Sequence, residues 1–171
     1  NWAHKTSGSI WPAIMKIKSI TPVGIRVPLI KPIKMAGVTI ADAENMVVRI
    51  EDTDGHVGWG EATTAPTMTG ETVESLVAAV KFMTPGLEGL AVEQPAMFFP
   101  QVEPLMIGNH GAKAAIDCAV YDLIGKRTDK PIYDLLGGKH RDRARVLWLL
   151  ADAVLESDVK AGLAKQDEGF K

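Results

Sequence analysis

The chain has 171 residues, 46% hydrophobic and 23% charged, and its 19 basic and 21 acidic side chains leave a formal net charge of −2. This balance excludes a basic footprint for nucleic acid or an anionic membrane, and no apolar run approaches the roughly 20 residues of a spanning helix. Cys118 is the only cysteine, which excludes a disulfide framework and fits a cytoplasmic protein.

Residues 1–14, with Trp2, Trp11, a Thr-Ser-Gly-Ser run and Pro12, show neither helical nor strand period. Only the short Ile10–Met15 segment is apolar, too little for a secretory signal. Met15 is followed at once by the alternating Lys16-Ile17-Lys18-Ser19-Ile20, so Met15 reads as the natural start and 1–14 as a disordered or non-native leader. Three segments then read as an antiparallel meander: Ile17–Val27, Asn45–Glu51 and Val57–Glu61. Asp54-Gly55 joins the last two, a hairpin pair that tolerates positive φ at both positions. Pro28–Glu44, rich in Pro, Lys and small residues, is expected to be a long loop of the kind that serves as a lid. A second loop, Ala62–Gly70, follows the third strand.

A helical half comes next. Glu71–Phe82 places Val73, Leu76, Val77 and Val80 at helical spacing, with Pro85-Gly86 expected to end it. Glu93–Met106 is apolar but contains Pro95, Pro100 and Pro104; Pro95 suits a first turn and Pro100 kinks or breaks a helix. Ala112–Lys126 is the clearest helix, with a wide apolar face of Ala112, Ala115, Ile116, Ala119, Val120, Leu123 and Ile124. A short turn, Pro131–Leu136, ends at Gly137-Gly138, and the basic stretch Lys139–Arg145 reads as a solvated linker. Arg145–Ala151 is nearly continuously apolar, the mark of a strand buried on both faces. Glu156–Glu168 then reads as a helix with Val159 and Leu163 on one side, and Gly169-Phe170-Lys171 as its exit toward a further strand. That order opens a parallel β/α unit, and the chain is expected to be cut in mid-architecture.

Chemistry-bearing residues are sparse. His4, His56, His110 and His140 lack metal-ligand spacing and read as surface or loop histidines. Cys118, among small apolar residues, reads as a packed core thiol. Asp117 and Asp122 are five apart and do not share a helical face well; pairing with Lys113 and Lys126, each four residues away, is expected. Glu61, at a strand end before a loop, is the carboxylate to watch, with a hydrogen-bonded structural role preferred to that of a general base.

Several strings resemble one family. Met15–Ile20 with Val27-Pro28-Leu29 and Gly58-Trp59-Gly60-Glu61-Ala62 resemble the start of the mandelate racemase and muconate lactonizing enzyme group of the enolase superfamily. Gly108-Asn109, Ala112–Asp117 and Tyr121–Lys126 are similar to that group's long capping-domain helix, and Pro131–Gly138 to its passage into the barrel. The resemblance implies an α+β capping domain over residues 15–138 and the first β/α unit of an incomplete TIM-type barrel over 139–171. It also implies a metal-dependent racemase, epimerase or cycloisomerase that removes the α-proton of a small carboxylate substrate through an enediolate held by Mg2+ or Mn2+. The base motif and the metal ligands of such enzymes lie on later barrel strands, so no catalytic residue or metal ligand is assigned in this chain, Lys171 included.

The part implied for this chain is a specificity lid in two loops. Ala36, Val38 and Ile40 would come from the first, and Thr64, Thr67, Met68 and Thr69 from the second. Gly60–Thr64 resembles muconate cycloisomerases and Pro66–Glu71 dipeptide epimerases. Val38 stands near the place where epimerases of the Ala-Glu type tend to carry an Arg for the acidic side chain. A homo-oligomer, without nucleic-acid or membrane partners, is the further implication. The alternative is a non-catalytic capping module that binds or oligomerises alone; the strongly apolar Val146–Leu150, unblunted by charge or Pro, weighs against it.

Overall fold

The computed structural model describes residues 14–35, 38–92, 94–150 and 154–170, so all but the last residue of the expected leader lies outside the described residues. The chain divides into two compact units: the described residues up to Arg26 with Glu44–Gly138, and Val27–Ala43 with the described residues from Lys139 onward. Four strands form one sheet in the order β3–β2–β1–β4: β1 (Met15–Met35), β2 (Val38–Asp52), β3 (Val57–Thr63) and the two-residue β4 (Ala91–Val92). β2 and β3 are antiparallel from Asn45↔Thr63 to Glu51↔Val57, and β1 meets β4 at Met15↔Val92 and Lys16↔Ala91. The expected meander therefore gains a fourth strand, too short to show a period.

Pro28–Glu44 is not the irregular loop its composition suggests. β1 runs on through Pro28 and Pro32 to Met35 and β2 begins at Val38, so the segment is a hairpin arm. The reason lies in the sheet order. β1 meets β4 only at its first two residues, and beyond them it is an edge strand, where a proline has no ladder bond to lose on its open side.

The core of the first unit lies on one face of the sheet. β2 directs Met46, Val48 and Ile50 inward at strict alternation, and β1 contributes Met15, Ile17 and Ile20. The odd-to-even slip between Ile17 and Ile20 is why that strand's period reads as imperfect. Against these pack α1 (Val73–Leu87), through Leu76, Ala79, Val80, Met83 and Leu87, and α3 (His110–Thr128). A capping box starts α1: the Ser75 N–H donates to Thr72 Oγ1, and the Thr72 N–H donates to Ser75 Oγ at 2.8 Å. Pro85 does not end this helix; it lies inside it, exposed, and the carbonyl it leaves without an amide donor belongs to exposed Lys81.

The proline-rich stretch before α3 is broken as its prolines demand. Two 3-10 turns, Pro95–Met97 and Glu103–Leu105, flank the single-turn α2 (Phe99–Val102), and each has its proline at the first or second position. Cys118, expected in the core, is exposed on α3, because the apolar stripe of that helix leaves its far side to Ala114 and Cys118. After α4 (Ile132–Leu135) comes the second unit's α5 (Leu155–Asp167). Arg145–Leu150, expected as a buried strand, carries no ladder and is exposed; a parallel strand needs neighbours on both sides, and none is present among the described residues. Trp148 instead stands edge-on to Phe170 at 6.0 Å, with Lys165 Nζ 3.9 Å above its ring. No described helix is long and apolar enough to cross a membrane.

The tightest contact in the first unit is between β3 and α3. A Cβ on Gly60 would stand 1.9 Å from the Ala115 carbonyl oxygen, and one on Gly58 2.1 Å from that of Ala119. Gly60→Ala is therefore expected to cost about 3 kcal/mol or more in urea denaturation, since backbone cannot yield as a side chain does. Gly55→Ala, at φ +90 in a turn with nothing near, is expected to cost only about 1–2 kcal/mol.

Candidate functional site

The segment that follows β3 is a closed loop pinned at both ends. At its entry, Thr64 donates twice to the Glu44 carbonyl of β2, from its N–H at 3.1 Å and from its hydroxyl at 2.8 Å. The Ala65 carbonyl then accepts the N–H groups of Met68 at 2.9 Å, Thr69 at 2.8 Å and Gly70 at 3.3 Å, while the Ala65 N–H returns to the Glu71 carbonyl at 3.3 Å. Thr69 also gives its hydroxyl to Ala65, at 3.3 Å. Gly70, at φ +77, makes the left-handed turn that lets the chain leave. At the exit, Glu71 Oε1 accepts the Gly111 N–H at 3.1 Å in the first turn of α3.

These bonds sort the expected lid residues. Thr64, Thr67, Met68 and Thr69 come together in one loop, but the hydroxyls of Thr64 and Thr69 are spent on backbone carbonyls. Thr67 and Met68 form the exposed tip, with Met68 70% exposed. Val38 and Ile40 lie on the hairpin arm in the other unit, Val38 exposed and Ile40 half-buried. Ala36 lies outside the described residues. The role of Glu71 was not legible beforehand; directly before the Thr72 cap, it reads as the start of α1.

The carboxylates serve the scaffold. Glu61 accepts from the Asn45 side-chain amide across the strands. Asp122 pairs with Lys126 at 2.6 Å as the spacing predicts, and it also accepts the Trp59 N–H at 2.7 Å. Asp117 does not meet Lys113. That lysine is buried and reaches the Glu103 carbonyl at 3.0 Å and its carboxylate at 3.4 Å. One oxygen of Asp117 is left buried without a hydrogen bond, and desolvation pushes its carboxyl up.

One cluster has the composition of a metal centre: ligand atoms of Asp52, Asp54 and His56 lie within 4.8 Å of one another. The donor set does not fit a divalent ion. Both oxygens of buried Asp52 are already used, Oδ1 by the Asp54 and His56 N–H groups and Oδ2 by His56 Nδ1 at 3.1 Å and Arg127 at 2.7 Å. The Arg127 guanidinium also meets Asp54 and so supplies the positive charge the cluster needs. Burial alone would raise the Asp52 carboxyl; these donors outweigh it and hold the group below its ordinary value.

The model of the N-terminal domain of mandelate racemase / muconate lactonizing enzymes matches residues 19–137. The chain belongs to that family. Among relatives of this mandelate racemase/muconate lactonizing group, the L-Ala-D/L-Glu epimerase of Bacillus subtilis is 38% identical over 129 residues, which are 75% of this chain and 35% of the epimerase. Muconate cycloisomerase 1 of Acinetobacter baylyi is 34% identical over 148 residues, 83% of this chain and 40% of the relative. The crystal structure of the N-succinyl Arg/Lys racemase of Bacillus cereus superposes with a TM-score of 0.81 at 30% identity, covering 90% of this chain and 42% of that one. The chain thus spans well under half the length of these relatives and carries the capping-domain fold of the enolase superfamily.

Two substitutions test the electrostatics. Arg127→Ala strands the buried Asp52 charge and is expected to cost about 3 kcal/mol at pH 7. Because Asp52 is held low, its contribution is present above the unfolded value of about 3.9 and fades as pH falls through the folded one, so the difference between the two proteins in urea melts should shrink in acid. Asp117 has the opposite sign. Raised in the folded chain, its ionisation opposes folding above pH about 3.9, so Asp117→Asn is expected to raise the Tm at pH 7, with the gain vanishing below that value.

Proposed function

We propose that the chain is the N-terminal part of a metal-dependent racemase, epimerase or cycloisomerase acting on a small carboxylate, and that it supplies the specificity lid and no catalytic group. The observation that carries this reading is the pinned loop 64–71, which offers an uncharged tip, Thr67 and Met68, from a family capping domain. With Val38 and Ile40 of the hairpin arm, and Ala36 beside them in sequence, the lid is apolar or hydroxylated throughout. Such a surface excludes water from a closed site and strengthens the electrostatics within it. It has no cation for an acidic side chain, which favours dipeptides or acylated amino acids with apolar or neutral side chains over Ala-Glu.

The domain division proposed is a capping domain over residues 15–138 and the beginning of a barrel over 139–171. Mg2+ or Mn2+ would be held by the barrel; the Asp52 cluster, whose buried carboxylate has both oxygens taken and is paired with Arg127, supports leaving the metal there. The metal would stabilise the enediolate formed when the α-proton leaves. Self-association of the whole enzyme belongs to the same reading.

The test is a chimera in which this chain replaces the matching N-terminal region of the Bacillus subtilis epimerase, with circular dichroism to confirm folding. In D2O with Mg2+, α-proton exchange on Ala-Glu is expected to fall about tenfold or more relative to dipeptides with an apolar second residue, the size of effect one unpaired charge produces. The 171-residue chain alone is expected to exchange none of them. Unchanged selectivity in a folded chimera, or turnover by the chain alone, would defeat the reading.

A further inference from the structure

The N-terminus of α3 is unusual in how it is capped. Asn109, the residue at the cap position, is in the left-handed region at φ 51 and makes no side-chain cap bond. The carboxylate that serves instead comes from Glu71, forty residues earlier, whose Oε1 takes the Gly111 N–H at 3.1 Å. Negative charge at this end of a 19-residue helix also meets the positive end of the helix dipole. The fit is close: a Cβ on Gly111 would come within 3.0 Å of Glu71 Oε2, so the glycine is what lets the carboxylate approach.

Glu71 is at the same time the last residue of the pinned loop, because its carbonyl accepts the Ala65 N–H that closes the ring and its own N–H reaches Thr69 Oγ1 at 3.4 Å. We infer that Glu71 is the positioning residue of the second lid loop: it ties the loop's exit to the N-terminus of α3, so that the helix sets where Thr67 and Met68 stand. That these two residues meet substrate rests on the proposed function; that Glu71 places them does not. Thr64 fixes the entry to β2 through Glu44, and Glu71 fixes the exit to a different element. Without the Glu71 side chain, the loop still runs into α1 at Thr72, but its exit has lost its tie to α3 and its tip has more freedom.

The experiment uses the 171-residue chain, with amide hydrogen exchange and the Met68 methyl resonance as readouts. In Glu71→Ala, exchange at Met68, Thr69 and Gly70 is expected to accelerate about tenfold, and the Met68 signal to sharpen, as for a loop that has lost one charge-assisted bond. Protection of Ala115–Val120 in α3 should persist, and Glu71→Gln, which keeps an acceptor, should restore most of the loop protection. Unchanged loop exchange in Glu71→Ala, or protection lost evenly across α3 and β3, overturns the inference, the second outcome marking a purely structural cap. Should the variants fail to fold, the unsubstituted chain decides the matter. In native-state exchange at low urea, the Gly111 amide and those of Met68–Gly70 should open together; a Gly111 amide that opens without the loop amides overturns it. Because no substrate enters these measurements, a lid that fails in the chimera leaves this result standing, and the reverse holds as well.

Discussion

The fold of the first unit depends on how closely one helix can lie against one strand. Gly58 and Gly60 of β3 face the carbonyls of Ala119 and Ala115 on α3, and the spacing works because two residues of strand and one turn of helix are nearly the same length. Two strand residues advance about 6.6 Å and four helical residues about 6 Å, so alternate glycines on β3 meet successive turns of α3 in register. The same ratio governs the outer edge of β3. Asp122 accepts the Trp59 N–H and Lys126 donates to the Val57 carbonyl at 3.3 Å. A pair four apart on the helix thus covers polar groups two apart on the strand. An edge strand exposes such groups to intermolecular pairing, and here the helix that packs on the face also screens the edge.

The far end of α3 is held by charge. Arg127, in its last turn, reaches buried Asp52 at the end of β2 and Asp54 in the turn that follows. Lysines and aspartates on the surface of α3 contribute little individually, but this contact is different in kind, because Asp52 has no solvent to turn to. The N-terminal end is held by Glu71 and the middle by the glycine contact. Three contacts of different chemistry therefore fix the helix along its length, and none is a substitute for another.

Much of this was legible in the sequence, and what was not has a physical reason. The meander, α1, α3 and α5 follow from apolar periods, and the Asp122–Lys126 pair from helical spacing. Pro85 reads as a stop because a proline usually costs a helix a bond; it does so here too, on a face where Lys81 is solvated. Pro28 and Pro32 signalled a loop because composition does not say which side of a strand is an edge. Its neighbours' composition points Cys118 to the core, although its own position lies off the apolar stripe. Arg145–Leu150 has strand composition without strand partners, and pairing is a property of the sheet and not of the segment. The Glu71–Gly111 and Asp52–Arg127 contacts join residues 40 and 75 apart, and nothing local in sequence announces either.

The division of labour inside loop 64–71 bears on which of its positions can vary. The side chains of Thr64, Thr69 and Glu71 are committed to backbone partners and Gly70 to positive φ, and a change at any of them alters the loop's geometry. The Thr67 side chain has no such commitment, and Met68 contributes only its backbone N–H to the ring. These two positions can therefore accept different sizes and polarities while the ring of bonds around Ala65 and the hold on α3 stay intact. A loop built this way keeps its placement constant and confines its chemistry to two side chains. The hairpin arm is different, since β1 and β2 carry it on a backbone ladder that is indifferent to side chain on its exposed faces. Variation there is spread along a strand instead of concentrated at a tip.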